Sequence, residues 1–310
     1  HRPRPPSTGQ AVTNSTPKTL HALLHTIVDY AGLFPPAGLD MDAAVRNYAS
    51  YRRDAHAWML GRFVVPAAHL EEMLDAMHAA GAIEPEHHWR VAALAGNDIA
   101  ADVARVGEFN ARGAGGLVDA LELKAADEAA VRRIAAAVPP GLRAYVEIPV
   151  AEDPRALIGA IAEEKLRAKI RTGGVTGEAI PSPEHVARFI RCCYATGVGF
   201  KATAGLHHPL RAMQPLTYEA DAPRDVMHGF LNVFLTAVFH YNGMTLADAN
   251  ALMHRGAVDD VEFADDHIAW RDYRVSRDEV TTIRRRFAIS FGSCSFREPV
   301  DDLIKTGLLS

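Results

Sequence analysis

Long apolar runs, a cysteine framework and a one-sided charge are all missing from this chain. No stretch stays apolar long enough to span a bilayer, and no apolar h-region opens the sequence, so no membrane partner is expected. Of the three cysteines, Cys192 and Cys193 are adjacent and point to different sides of a helical pattern, and Cys294 stands alone. That leaves neither a disulfide framework nor a CxxC metal knuckle, and fits a reducing, cytoplasmic setting. The net charge is only −5 and the basic residues are scattered, which argues against a nucleic-acid partner. GxGxxG and Walker A sequences are absent, as are HxH and HExxH spacings, so no cofactor and no metal are expected.

What the chain does have is apolar material: 48% of its 310 residues are hydrophobic, enough for a large core. Residues 1–17 are polar and Pro-rich and read as a flexible tail. Short apolar runs then alternate with amphipathic stretches, the pattern of βα units. The runs fall at 26–31, 61–66, 89–94, 119–125, 143–150, 167–172 and 198–206, with 287–296 as the best eighth. Helices are expected at 42–53, 70–80 (stopped by Gly81), 99–112 (capped by Asn97), 127–137, 154–165 and 183–196, with a short closing helix after the last strand.

Eight such units in one chain predict a TIM (β/α)8 barrel as a single domain over 18–310, with an open doubly wound sheet as the alternative. Residues 207–286 are too long for an ordinary connection and read as an insertion between strands seven and eight. Within it, 226–241 is apolar nearly all round. A helix of that kind is buried in the domain or in a subunit interface. The interface is preferred, which predicts a homo-oligomer. The charged stretch after it ends in a helix running to Arg286.

In a barrel of this kind the active site lies at the C-terminal strand ends. Polar residues at those ends here are Asp29, Glu122, Lys124, Glu147, Lys169, Arg171, Lys201, Thr203 and Ser293. Lys169 and Lys201 close neighbouring strands, and two cations so placed cannot satisfy each other. Something anionic or carbonyl-bearing is expected between them. An ordinary lysine titrates near about 10.4, and a neighbouring cation with partial burial can lower that by about 3. Such a lysine attacks carbonyls and forms Schiff bases. Glu122 and Lys124 share one face of their strand and could oppose either lysine.

The run "KIRTGG", a following helix, "VGFKATAGL" and then "FGSCSF" resembles the deoxyribose-phosphate aldolase family. The resemblance implies a metal-independent class I aldolase: Lys169 as Schiff-base nucleophile, Lys201 tuning it, Glu122 moving protons. It covers about 119–296 without the insertion. Where that family has Gly-Gly and a phosphate-receiving loop, this chain reads "TAGLHHPL", and Cys294 separates Ser293 from Ser295. A different substrate is therefore expected, a small carbonyl or anionic compound. Arg171, Thr172, Gly173, Glu147, Thr203, His207, His208, Ser293 and Asp29 are the candidate substrate contacts. His207 and His208 read first as substrate or proton-handling groups, then as packing, then as metal ligands. The Gly-rich loop 172–182 reads as an anion cradle or lid, or equally as a plain connector, and 29–40 as a substrate wall. Two further readings stay open. One is a metal-dependent lyase or hydrolase using Glu147, His207 and His240. The other is a non-catalytic barrel binding an anion between Lys169, Arg171 and Lys201.

Overall fold

A computed structural model describes residues 16–84 and 87–310 of the chain. The expected tail lies outside the described residues except for Thr16 and Pro17. Eight parallel strands close a barrel. They are β1 (Val28–Tyr30), β2 (Leu60–Pro66), β3 (Trp89–Leu94), β4 (Gly116–Lys124), β5 (Arg143–Glu147), β6 (Arg167–Arg171), β7 (Phe200–Thr203) and β8 (Ala288–Ser293). Each pairs with its neighbour in sequence, and β8 pairs back onto β1, Val28 opposite Phe291. The TIM-barrel expectation holds, and the open-sheet alternative falls with this closure.

The helices, in chain order, are α1 (Lys18–Leu24), α2 (Met41–Tyr51), α3 (Leu70–Ala79), α4 (Ile99–Arg112), α5 (Glu128–Ala137), α6 (Arg155–Glu163), α7 (Pro183–Thr196), α8 (Phe230–His240), α9 (Leu246–Met253), α10 (Arg277–Arg286) and α11 (Arg297–Lys305). Their starts are chemically marked. The side chain of Asp40 accepts the Ala43 N–H at the head of α2, and Asp127 does the same for Ala130 at α5. At α4 the cap is Asp98, accepting from Ala101, and not the expected Asn97. Strand β7 stops at Thr203 instead of running to Leu206. Ala204 and Gly205 have φ of 60° and 75°, which turns the chain out of the extended region.

Between β7 and β8 the chain builds a two-stranded ribbon (Ala212–Pro215 with Arg224–Met227), α8, α9, a three-stranded sheet (Glu262–Phe263, His267–Trp270, Tyr273–Ser276) and α10. The sheet was not expected; the helix ending at Arg286 was. The helix read at 226–241 starts only at Phe230, because Arg224–Met227 is already paired in the ribbon. Every residue of α8 is buried within the single chain. It packs on α7, α9, α10 and β8, with Phe230 stacked on Phe291 at 5.0 Å. The preferred interface reading is corrected accordingly: the apolar girth of α8 is covered by its own domain, so this helix is no argument for an oligomer. No helix among the described residues is long and apolar enough to cross a membrane.

Inside the barrel the side chains are layered. Val64, Ala92, Ala120 and Tyr145 form an apolar middle layer. Period-two alternation then puts Glu122, Glu147 and Lys169 above it and Arg62, Arg90, Arg143 and Arg167 below it.

Candidate functional site

Strand register builds the site. Glu147 on β5 lies opposite Lys169 on β6, and Lys169 lies opposite Lys201 on β7. Glu122, one strand further round on β4, pairs with Tyr145, while Glu147 pairs with Lys124. From there its carboxylate reaches between the two lysines. Lys169 Nζ donates to Glu122 Oε2 at 2.7 Å, and Lys201 Nζ donates to Glu122 Oε1. On its other side Lys201 donates to Asp29 Oδ2 at 2.7 Å. Asp29 is fixed in turn by the Ser290 hydroxyl at 2.7 Å and the Arg62 backbone N–H at 2.8 Å. Lys169 has a second carboxylate, Glu147 Oε2, at 3.0 Å, and Arg171 Nε lies 3.6 Å from Glu147 Oε1.

The electrostatic expectation is thereby revised. The anion expected between the two cations is the protein's own Glu122. Burial pushes Glu122 up, but the Lys169 and Lys201 ammoniums outweigh it and hold the carboxyl down at about 2. For Lys201, burial works against the charge, yet Asp29 and Glu122 overcome it and keep the ammonium above the ordinary lysine range. Lys201 is therefore a fixed cation, not a group whose charge is made costly by its neighbour.

A cavity of about 390 Å³ opens above this cluster. Lys169, Glu122 and Glu147 reach its surface, whereas Lys201 lies underneath and does not. Of the other expected contacts, Arg171, Thr203 and His207 line it as well. Four do not. Thr172 is buried with its hydroxyl donating to the Ala204 carbonyl at 2.6 Å. Ser293 is buried and accepts from the Ser295 N–H at 3.3 Å. His208 turns away to Asp302 on α11 at 2.6 Å. Asp29 is covered by Lys201. Gly173 acts through its backbone, since a Cβ there would come within 2.8 Å of Gly205 Cα, so the β6 and β7 exits touch only because both are glycine. From the Gly-rich loop, Gly174 and Val175 reach the cavity, and Phe34, Pro35 and Pro36 wall it from the β1 exit.

Several residues at the site were not anticipated. His207 Nδ1 is 3.0 Å from Glu298 Oε2 on α11, and the Tyr218 hydroxyl donates to that same oxygen at 2.9 Å. Burial disfavours the His207 cation, but Cys294 and Glu298 outweigh it and raise the imidazole to about 9. At 3.0 Å, Glu298 is the stronger of the two partners, with Cys294 Sγ 3.9 Å away. Glu298 and Tyr218 carry no local sequence signal, being 91 and 80 residues from their partners. Ser290 did carry one: it is a hydroxyl between the apolar Ile289 and Phe291, in the middle of β8.

No family model matches this chain. No curated protein matches it either. Its chemistry therefore has to be read from the geometry. Among the described residues, no group of three His, Cys, Asp or Glu side chains is placed to hold a metal ion. His240 sits under Tyr194 with its ring held at about 4 by burial and Arg191, remote from the other residues of the metal-dependent reading.

Proposed function

We propose that the chain is an aldolase-like lyase, distantly related to the deoxyribose-phosphate aldolases, which works through a Schiff base on Lys169. The observation that carries this reading is the buried amine of Lys169 lining the cavity, touching a buried carboxylate that touches a second, permanently charged lysine. A TIM barrel is also a common enzyme scaffold, though fold alone does not choose a reaction.

The chemistry balances well in this cage. Glu122 takes a proton from the Lys169 ammonium, and the freed lone pair attacks the carbonyl carbon of the substrate. Glu122 returns that proton to the carbonyl oxygen, which leaves as water once a second of the three amine protons has followed the same route and the third stays on nitrogen. Ammonium plus carbonyl becomes iminium plus water, so the cation on Lys169 is replaced by another cation and the buried charges stay compensated. A β-hydroxyl on the bound compound then gives its proton to Glu122. The C–C bonding pair becomes the enamine C=C bond as the C=N π pair moves to nitrogen, and an aldehyde departs. Glu122 protonates the enamine carbon, and water releases the product. Lys201, pinned by Asp29, keeps Glu122 oriented and acidic enough to let protons go.

Borohydride in the presence of a panel of small aldehydes and ketones is expected to add one reduced adduct, located on Lys169 by peptide mass spectrometry and missing in Lys169→Met. Folded protein that traps no carbonyl would remove the proposal. A non-catalytic anion site is favoured by one observation, the cationic Arg171 and His207 on the cavity wall. Lys169→Arg separates the two: it preserves charge but cannot form an imine, so unchanged ligand affinity favours the anion site, and loss of the wild type's turnover favours the enzyme.

A further inference from the structure

The opposite end of the barrel holds a second and larger cavity, about 600 Å³, under the N-terminal strand ends. Its wall is basic by construction. Arg62, Arg90, Arg143 and Arg167 occupy the first inward positions of β2, β3, β5 and β6, each two residues before the apolar layer or Lys169. Arg284 and Arg285 join them from the last turn of α10, where the helix dipole favours cations.

Carboxylates are scarce there. Asp119 alone takes Arg62, Arg90 and Arg143, at 2.5, 2.9 and 2.9 Å. Among the described residues, Arg167, Arg284 and Arg285 have no carboxylate partner. Arg284 is the telling case. It is 6% exposed, and its guanidinium donates to backbone carbonyls, those of Leu23 at 2.6 Å, His25 at 3.1 Å, Ile289 at 2.5 Å and Ala288, and lies 5.0 Å from the Phe234 ring centre. Burial pulls it down to about 9, with Asp29 and Tyr145 offsetting only part of that, against the usual behaviour of arginine. The hydroxyl of Tyr145, 1% exposed, has no hydrogen-bond partner and belongs to the same cavity wall. A buried hydroxyl without a partner, beside a buried guanidinium that has hydrogen bonds but no ion pair, is costly unless a ligand answers it. Residues 1–15 include no Asp or Glu, so that segment brings no side-chain counter-charge.

We propose that this lower cavity is a binding site for a small molecule carrying two or more phosphate groups. Guanidinium forks match phosphate oxygens bidentately, and the volume suits a metabolite-sized ligand. The site is separate from the Lys169 cavity and does not depend on the lyase reading. Tyr145 nevertheless separates the two ends: its ring is 5.8 Å from the Arg167 guanidinium and 5.7 Å from Lys201 Nζ.

Inorganic pyrophosphate, titrated calorimetrically into the full chain at fixed ionic strength, is the test. Wild-type protein is expected to bind it and to melt at a higher temperature in its presence. Arg167→Gln with Arg285→Gln should weaken binding by at least about tenfold, the effect of losing charge-assisted bonds, while Lys169→Met leaves affinity unchanged. Arg285 is exposed, so Arg285→Glu alone serves if the double variant does not fold, and it should also weaken binding. The proposal is overturned if wild-type protein shows no binding, if the arginine variants bind as well as wild type, if Lys169→Met abolishes binding, or if only long nucleic acids bind.

Discussion

Glu122 touches both lysine ammoniums and is buried with them, so its loss is felt twice. Removing one partner of a buried ion pair leaves uncompensated charge, at a cost of about 3–5 kcal/mol. Glu122→Gln is therefore expected to lower the unfolding free energy from urea melts by that amount and to stop turnover even in whatever fraction stays folded. Activity that survived this substitution would show that the proton moves by another route. Ser290→Ala is milder, because Asp29 keeps Lys201 and the Arg62 N–H as partners.

Elements matter where they touch. The loops leaving β6 and β7 meet at Gly173 and Gly205, each blocking a Cβ on the other at 2.8 Å. Gly173→Ala forces backbone against backbone, and overpacking of this kind costs about 1–3 kcal/mol. Because these loops form part of the cavity rim, with Gly174 and Gly205 on its surface, KM should rise while the Lys169 adduct still forms. Steady-state kinetics with the trapped carbonyl, beside a urea melt, checks both halves. An unchanged KM would mean that the rim does not contact substrate. Secondary structure was largely legible because its local signals are strong: β3, α4 and α7 run where their patterns place them, within the bounds of Trp89–Leu94, Ile99–Arg112 and Pro183–Thr196. What local signals could not reveal was the ribbon that displaces the start of α8, since its pairing joins residues whose short polar strands look like loop. The girth of α8 was equally ambiguous, because an all-apolar helix looks the same under a domain as under a partner.

Across the whole molecule the barrel is charged at both ends and apolar between. Glu122 in the upper layer and Asp119 in the lower are each held at about 2, burial being outweighed by lysines in the first case and by arginines in the second. Both folded values lie below the ordinary 4.5 and 3.8, so the stability these carboxylates contribute is complete above that range and drains away as pH falls toward about 2. Urea midpoints are expected to hold above pH about 5 and to fall steeply below pH about 4. The slope should be shallower in Asp119→Asn, which has already lost one of the two groups. A midpoint flat down to pH about 3 would contradict the ion-pair layers.

The alternation of apolar runs with amphipathic stretches was enough to specify eight βα units, because period two and period 3.6 are properties of the backbone that any short window displays. It also carried Lys169 and Lys201 to matching strand ends, since register follows from one helix of ordinary length between two strands. Which charge answers which was settled only by closure of the barrel. That step brings Glu122 across 47 and 79 residues to the two lysines, and Asp29 across 172 residues to Lys201. Such distances lie beyond any periodic signal, and the sign of an electrostatic effect depends on which groups share the dry space. A pair of like charges in the sequence thus became, in three dimensions, two cations held by a carboxylate.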